Sequence, residues 1–209
     1  MFNVNVNIPV KETYEVICDL APKVKRGLAN TFAVLKGVIT EQQAKIFGRV
    51  TGRVQEILDA AGVQPEEIRY CPLMLGALWT ERASLEENPT LQELWARLMA
   101  NALDPNFKEE VRVAFIDIIK SLSPLDVRIM EFMWPQKLFP LPTARSDRFQ
   151  ISEALGADWN DIEVGLDNLK RLSLIADPNT LDAMPIVGKG SPRFTALGYA
   201  FLRACVVKN

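Results

Sequence analysis

Lys23, Lys25, Arg26 and Lys36 are spread through LAPKVKRGLANTFAVLKGVIT, residues 20–40, without one acidic side chain among them. Cations set in an apolar stretch can hold anions, and a basic, apolar segment such as GLANTFAVLKGVI can lie on an anionic membrane surface. The plainer alternative is a pair of helices, broken near Gly27 or Gly37, whose lysines face water, and basic soluble helices are the commoner case. Lys189 and Arg193 form a second basic feature, placed where the wing of a C-terminal module could meet a partner. Acid–base and nucleophilic chemistry is poorly supplied. The chain has no histidine, which removes Ser-His and Cys-His pairs and every histidine metal motif. Cys18, Cys71 and Cys205 are too far apart in sequence for a CxxC pair and read as small core residues. Neither GxxxxGK[ST] nor GxGxxG occurs. No catalytic, cofactor-binding or metal-ligating residue is therefore expected, and the chain reads as a protein that is not an enzyme.

Positioning those cations falls to helices. Hydrophobic residues make up 48% of the 209-residue chain and charged residues 24%, an ordinary globular composition with a sizeable core. No run approaches the roughly 18 apolar residues of a spanning helix, and the N-terminus lacks the order of a secretory signal, so a cytoplasmic protein is expected. Phe2, Val4, Val6 and Ile8 alternate with asparagines, a pattern ended by Pro9 that suits a strand or, equally, a floppy arm. Thr40 with Gln43 reads as a capping box before AKIFGRVTGRVQEILDAAG. CPLMLGALW, from Cys71 to Trp79, is apolar nearly all round and is expected at the centre of the core. Thr90 with Glu93 reads as a second capping box, followed by the stripe Leu91, Leu94, Trp95, Leu98 and Ala102 and a stop at Asp104-Pro105. Gln92, Glu93 and Arg97 fall off that stripe and Asn101 sits on its edge, as a satisfied polar residue between helices. Val111, Phe115, Ile118, Ile119 and Leu122 continue the pattern, so residues 1–123 read as a helical bundle.

From Ser123 the grammar changes. Ser123, Pro124 and Asp126 start a helix with Leu125, Ile129, Phe132 and Met133 inward. After a proline-rich loop, RFQISEALG closes at Gly156, and Asp158 caps a longer helix with Trp159, Ile162, Leu166 and Leu169 on one side. Leu174 to Ala176 and Arg193 to Leu197 read as a hairpin, and Gly198 to Val206 as a last short helix. The fold class expected is mainly α: a helical bundle, then a winged helix-turn-helix-like module over residues 124–209 with a small β-hairpin. Charge argues against nucleic acid as the partner. The helix from Asp158 to Arg171 carries four acids against two bases, and residues 124–209 hold ten basic and ten acidic side chains.

The run LEENPTLQELWARLMANALDPNFKEEVRVAFIDIIKSLSPLDVRIMEF, residues 85–132, resembles the Abi-alpha family of bacterial abortive-infection proteins, whose members share a pattern like ELxELWAxLLAxAMDP…HPxFVEIIKQLSPLDAKIL. The likeness extends more weakly through APKVKRGLANTFAVLKGVIT upstream and through LDNLKRLSLI and FTALGYAFLRAC downstream. Arg112 and Val113 stand where the family often has a His-Pro pair. The resemblance implies a phage-defence component that arrests or kills the infected cell, and it supplies no catalytic residues. The expected function is non-enzymatic antiphage defence through protein–protein or membrane-surface contact, at the periphery of the inner membrane in the second case. The alternative is a winged-helix DNA-binding regulator. The expected partners are a protein or phage-derived trigger and a second copy of the chain, with no cofactor.

Overall fold

The computed structural model describes residues 10–12, 20–32, 38–134, 144–176 and 193–206, and the protein is mainly helical. The residues of the alternating arm before Pro9, together with Cys18, Lys36 and Lys189, lie outside the described residues. By contact the chain divides into two compact units, Met1–Ile116 and Asp117–Asn209.

In the first unit, β1 (Val10–Glu12) pairs antiparallel with β2 (Val38–Thr40). The short helices α1 (Pro22–Gly27) and α2 (Ala29–Phe32) lie between them in sequence. The capping box starts α3 (Glu41–Ala60): Gln43 N donates to Thr40 Oγ1 at 3.1 Å, and Thr40 N donates to Gln43 Oε1 at 2.8 Å. Ile46, Phe47, Val50, Val54 and Leu58 then recur at helical spacing and are all buried. They pack on α5 (Pro89–Leu103), whose Leu91, Leu94, Trp95 and Leu98 face inward. Between them in sequence runs α4 (Leu73–Ala83), anchored by Trp79, which is fully buried, stands 5.5 Å from the Phe47 ring and donates its indole N–H to Trp95 O at 2.8 Å.

Two expectations are corrected here. The N-cap of α5 is Asn88, not Thr90: Asn88 Oδ1 accepts from Thr90 N at 2.9 Å and Leu91 N at 3.4 Å, with Pro89 at the first helical position. Asparagine is the better cap, and proline gives up a donor that has no helical partner there anyway. Glu93 is thereby freed for ion pairs. The second correction concerns CPLMLGALW, which is not buried all round. Leu75, Gly76 and Trp79 are buried, while Leu73 and Met74 project from the first turn of α4.

In the second unit, α6 (Ala114–Lys120) leads across the unit boundary into α7 (Pro124–Met133), which opens on a reciprocal cap. Asp126 N donates to Ser123 Oγ at 3.1 Å and Ser123 N to Asp126 Oδ2 at 2.7 Å. This cap turns the buried face of α7 to Asp126, Val127, Ile129 and Met130, leaving Leu125, Phe132 and Met133 only half-buried. α8 (Ala144–Leu155) ends at Gly156, whose φ of 59° is a left-handed turn that glycine adopts without strain. α9 (Trp159–Arg171), capped by Asp158, buries Ile162, Gly165, Leu166 and Leu169. β3 (Ile175–Ala176) pairs antiparallel with β4 (Arg193–Phe194), Ile175 opposite Phe194. Finally α10 (Ala196–Phe201) runs into a π-helical turn, Leu202–Val206. Trp134, Phe194 and Tyr199 form a ring cluster with centroids 5.8 to 6.5 Å apart.

Candidate functional site

The structure separates the four cations of residues 20–40. Lys23 is not a surface group: its side chain is 9% exposed and its ammonium bonds Asp59 Oδ1 at 2.5 Å. Its backbone N–H also donates to Gln55 Oε1 at 3.1 Å, so Lys23 pins α1 to α3. The hydrogen bond from Lys23 holds the Asp59 carboxyl below its usual value, helped by Gln55 and opposed by desolvation. Lys25 and Arg26 are exposed, and one Arg26 nitrogen reaches Glu66 O at 3.4 Å. Arg193 sits in β4 opposite Ala176, its side chain outside the described residues.

Next to the end of α1 stands a segment that includes Leu73 and Met74, both expected in the core, and the preceding Tyr70. Tyr70, Leu73 and Met74 are 57%, 49% and 64% exposed. The segment carrying them is held on both sides: Cys71 N donates to Gly27 O at 2.8 Å, and Arg69 donates to Pro105 O at 2.5 Å and Phe107 O at 3.2 Å. Three large exposed apolar side chains are thus carried on a braced lip whose backbone is bonded to the end of α1, the helix that bears the exposed Lys25 and Arg26; Glu66 and Glu67, also exposed, precede the lip in sequence. A run that is apolar all round gives no sign of which face lacks a partner. The signal available was Pro72, which starts α4 and puts Leu73 and Met74 in a first turn with no preceding turn to cover them.

Deeper in the same unit, α3 and α5 are braced by ions. Glu93 accepts from Arg53 at 2.8 and 3.1 Å and from Arg97 Nε at 2.9 Å, while Arg53 also reaches Glu56 at 2.8 Å. Arg97 is 8% exposed, so it belongs to the interior rather than to the outer face expected for it. Burial works against a charged Glu93, yet the bond from Arg53 and the attraction of Arg97 and Arg53 outweigh it and hold the carboxyl below its ordinary value. The arrangement couples two helices and leaves no poised acid or base. Burial pushes the Cys71 thiol up to about 12, which keeps it protonated and a poor nucleophile at neutral pH. Cys205 is buried as well. Among the described residues no three acids or thiols gather as metal ligands, and no helix is long and apolar enough to cross a membrane.

The family model described as "Abortive infection alpha" matches residues 42–205. The chain belongs to the abortive infection alpha family. Searches of curated proteins and of solved structures returned no significant match. The abortive infection alpha span takes in the Tyr70–Met74 lip and most of the second unit, and it begins after the basic segment of residues 20–40. Within it, Glu93 gives a testable pH dependence. Its folded pKa is depressed, so its contribution to stability is complete above the unfolded carboxylate value and is lost as pH falls through the lower, folded value. Glu93→Gln is expected to cost about 1 to 3 kcal/mol at neutral pH, the range for losing hydrogen bonds to a charged group. Below the carboxylate range the gap between parent and variant should close, which urea unfolding at stepped pH reads directly.

Proposed function

We propose that this abortive-infection protein acts by contact and not by catalysis, its first unit resting on an anionic membrane surface through the Tyr70–Leu73–Met74 lip. The observation that carries the reading is the exposure of those three side chains on a braced segment bonded to the end of α1, the helix that bears Lys25 and Arg26. Basic side chains near an anionic surface contribute about 1 kcal/mol each, so two supply about 2 kcal/mol. The apolar lip must supply the rest, because Glu66 and Glu67 weaken the local field. On this reading the protein is cytoplasmic and peripheral to the inner membrane.

The second unit we assign to protein contact. Three helices, α7 to α9, followed by an antiparallel strand pair support a winged-helix-like arrangement. The α9 surface that would enter a DNA groove instead exposes Asp161, Val164 and Asp167, which repel or ignore phosphate. A DNA-binding regulator would have to rely on wing cations such as Lys189 and Arg193, and its binding would fall steeply with salt.

Sedimentation with vesicles tests the membrane half. The parent is expected to pellet with phosphatidylglycerol-containing vesicles and not with pure phosphatidylcholine. Lys25→Gln with Arg26→Gln should weaken the partition roughly thirty-fold, the equivalent of about 2 kcal/mol. Lys23→Gln should change stability more than partition. No pelleting by the parent, or equal pelleting by parent and double variant, overturns the reading.

A further inference from the structure

Residues 68–72 belong to no helix or strand, yet they lead the chain through Tyr70 into α4, so the order of this stretch has to come from individual bonds. Ile68 and Cys71 are buried, and Tyr70 between them is exposed. Among the described residues, three of the four hydrogen bonds that tie the stretch to other parts of the unit are made by Arg69, the fourth being Cys71 N to Gly27 O. The Arg69 N–H donates to Leu103 O at 3.0 Å, and two nitrogens of its guanidinium donate to Pro105 O at 2.5 Å and Phe107 O at 3.2 Å. Leu103 is the last residue of α5, and Pro105 and Phe107 lie in the turn that follows, itself held by Asn106 N donating to Asp104 Oδ1 at 2.7 Å. α5 has no basic residue in its own last turn, so Arg69 supplies a cation at the negative end of that helix. Burial does not force the placement, because Arg69 is exposed. A long side chain with solvent available to it is instead held in one geometry by two carbonyls.

We propose that Arg69 is the positioning residue of the membrane lip, holding Tyr70 and the entry to α4 in place before any surface is met. The role rests on the membrane reading of the lip. A stretch without regular structure that ordered only on docking would lose its chain entropy at that moment, whereas one ordered beforehand docks without that loss. The geometry calls for arginine. Carbonyls two residues apart are spanned by two nitrogens of one planar fork, and a lysine ammonium keeps the charge but lacks the fork.

The test combines amide hydrogen exchange of the full chain, free and with phosphatidylglycerol-containing vesicles, with vesicle sedimentation of the parent, Arg69→Gln and Arg69→Lys. Both variants are expected to speed exchange at residues 69–71 of the free protein at least about tenfold, while the amides of α3 and α5 stay as protected as in the parent. Vesicle-bound, both should regain the parent's protection at 69–71, the sign of a lip that now orders on docking. Partition should fall about tenfold in Arg69→Lys and further in Arg69→Gln, which also loses a charge. Parent-like partition by Arg69→Lys makes Arg69 one more surface cation and overturns the proposal. Unchanged exchange at 69–71 in both variants overturns it too, as does faster exchange spread through α3 and α5, which marks a general structural role. No pelleting by the parent overturns the membrane reading and this role with it, whereas a parent that pellets while exchange at 69–71 is indifferent to Arg69 overturns the role alone.

Discussion

Trp79→Ala is expected to lower the unfolding free energy by about 3 to 5 kcal/mol, the usual cost of emptying a large buried aromatic site. Trp79 is fully buried, packs on Phe47 at 5.5 Å and donates to Trp95 O. Three helices converge on it, α3 through Phe47, α5 through Trp95 and its own α4. The truncation removes ring contacts, leaves a cavity that helices pinned by the Arg53–Glu93 ion pair are slow to collapse, and deletes a hydrogen bond. Trp95→Ala belongs in the same range, since Trp95 is 1% exposed between Leu91 and Leu98. Replacement by phenylalanine separates the two sites. The Trp95 indole N–H is buried without a partner, so Trp95→Phe removes an unsatisfied donor along with some volume, whereas Trp79→Phe removes a satisfied one. Urea unfolding should therefore rank Trp79→Phe as the more damaging. An unchanged midpoint for both alanine variants would mean that the α3–α5 stripe is not core.

Gly198→Ala should be the most damaging single methyl in the second unit. Gly198 stands in the first turn of α10, where its N–H donates to Thr195 Oγ1 at 2.9 Å, and a Cβ there would overlap the backbone carbonyl of Leu174. That carbonyl cannot step aside, because it accepts from Thr195 N at 3.0 Å just beyond the β3–β4 pairing. Overpacking against backbone costs about 1 to 3 kcal/mol and occasionally more, and the upper end applies where neither side is a flexible side chain. Thermal unfolding of the full chain checks it. A melt within a degree or so of the parent's would show that the α10 start and Leu174 are not in contact in solution.

Local grammar was legible from sequence and long-range chemistry was not. The cap pairs Thr40–Gln43 and Ser123–Asp126, the cap at Asp158 and the glycine stop at Gly156 are all as the residues indicate, because each is a bond between near neighbours. The antiparallel pairing of residues 175–176 with 193–194 was legible from two short apolar runs around a loop. The family followed from a run whose motif is itself mostly one helix, its cap and the next cap. Asn88 was passed over for Thr90 since both suit a cap, and the adjacent Pro89 was the deciding feature. Lys23 read as one of four equivalent cations, and only its partner thirty-six positions away makes it different. Arg97 was placed by period alone, which says nothing of the ion that draws a polar group inside. Leu73 and Met74 were misplaced for the opposite reason: apolar residues are buried only where another element covers them.

In the proposed function the lip works as a contact surface in defence. Its direct measurement is the plaquing efficiency of phage on cells carrying the parent or the Tyr70→Ser, Leu73→Ser, Met74→Ser variant, at equal protein abundance and with matched thermal melts. Serine at three exposed positions should leave the fold intact, since none of these side chains contributes to the core. The parent is expected to protect and the variant to fail. Full protection by the folded variant would contradict the proposed function.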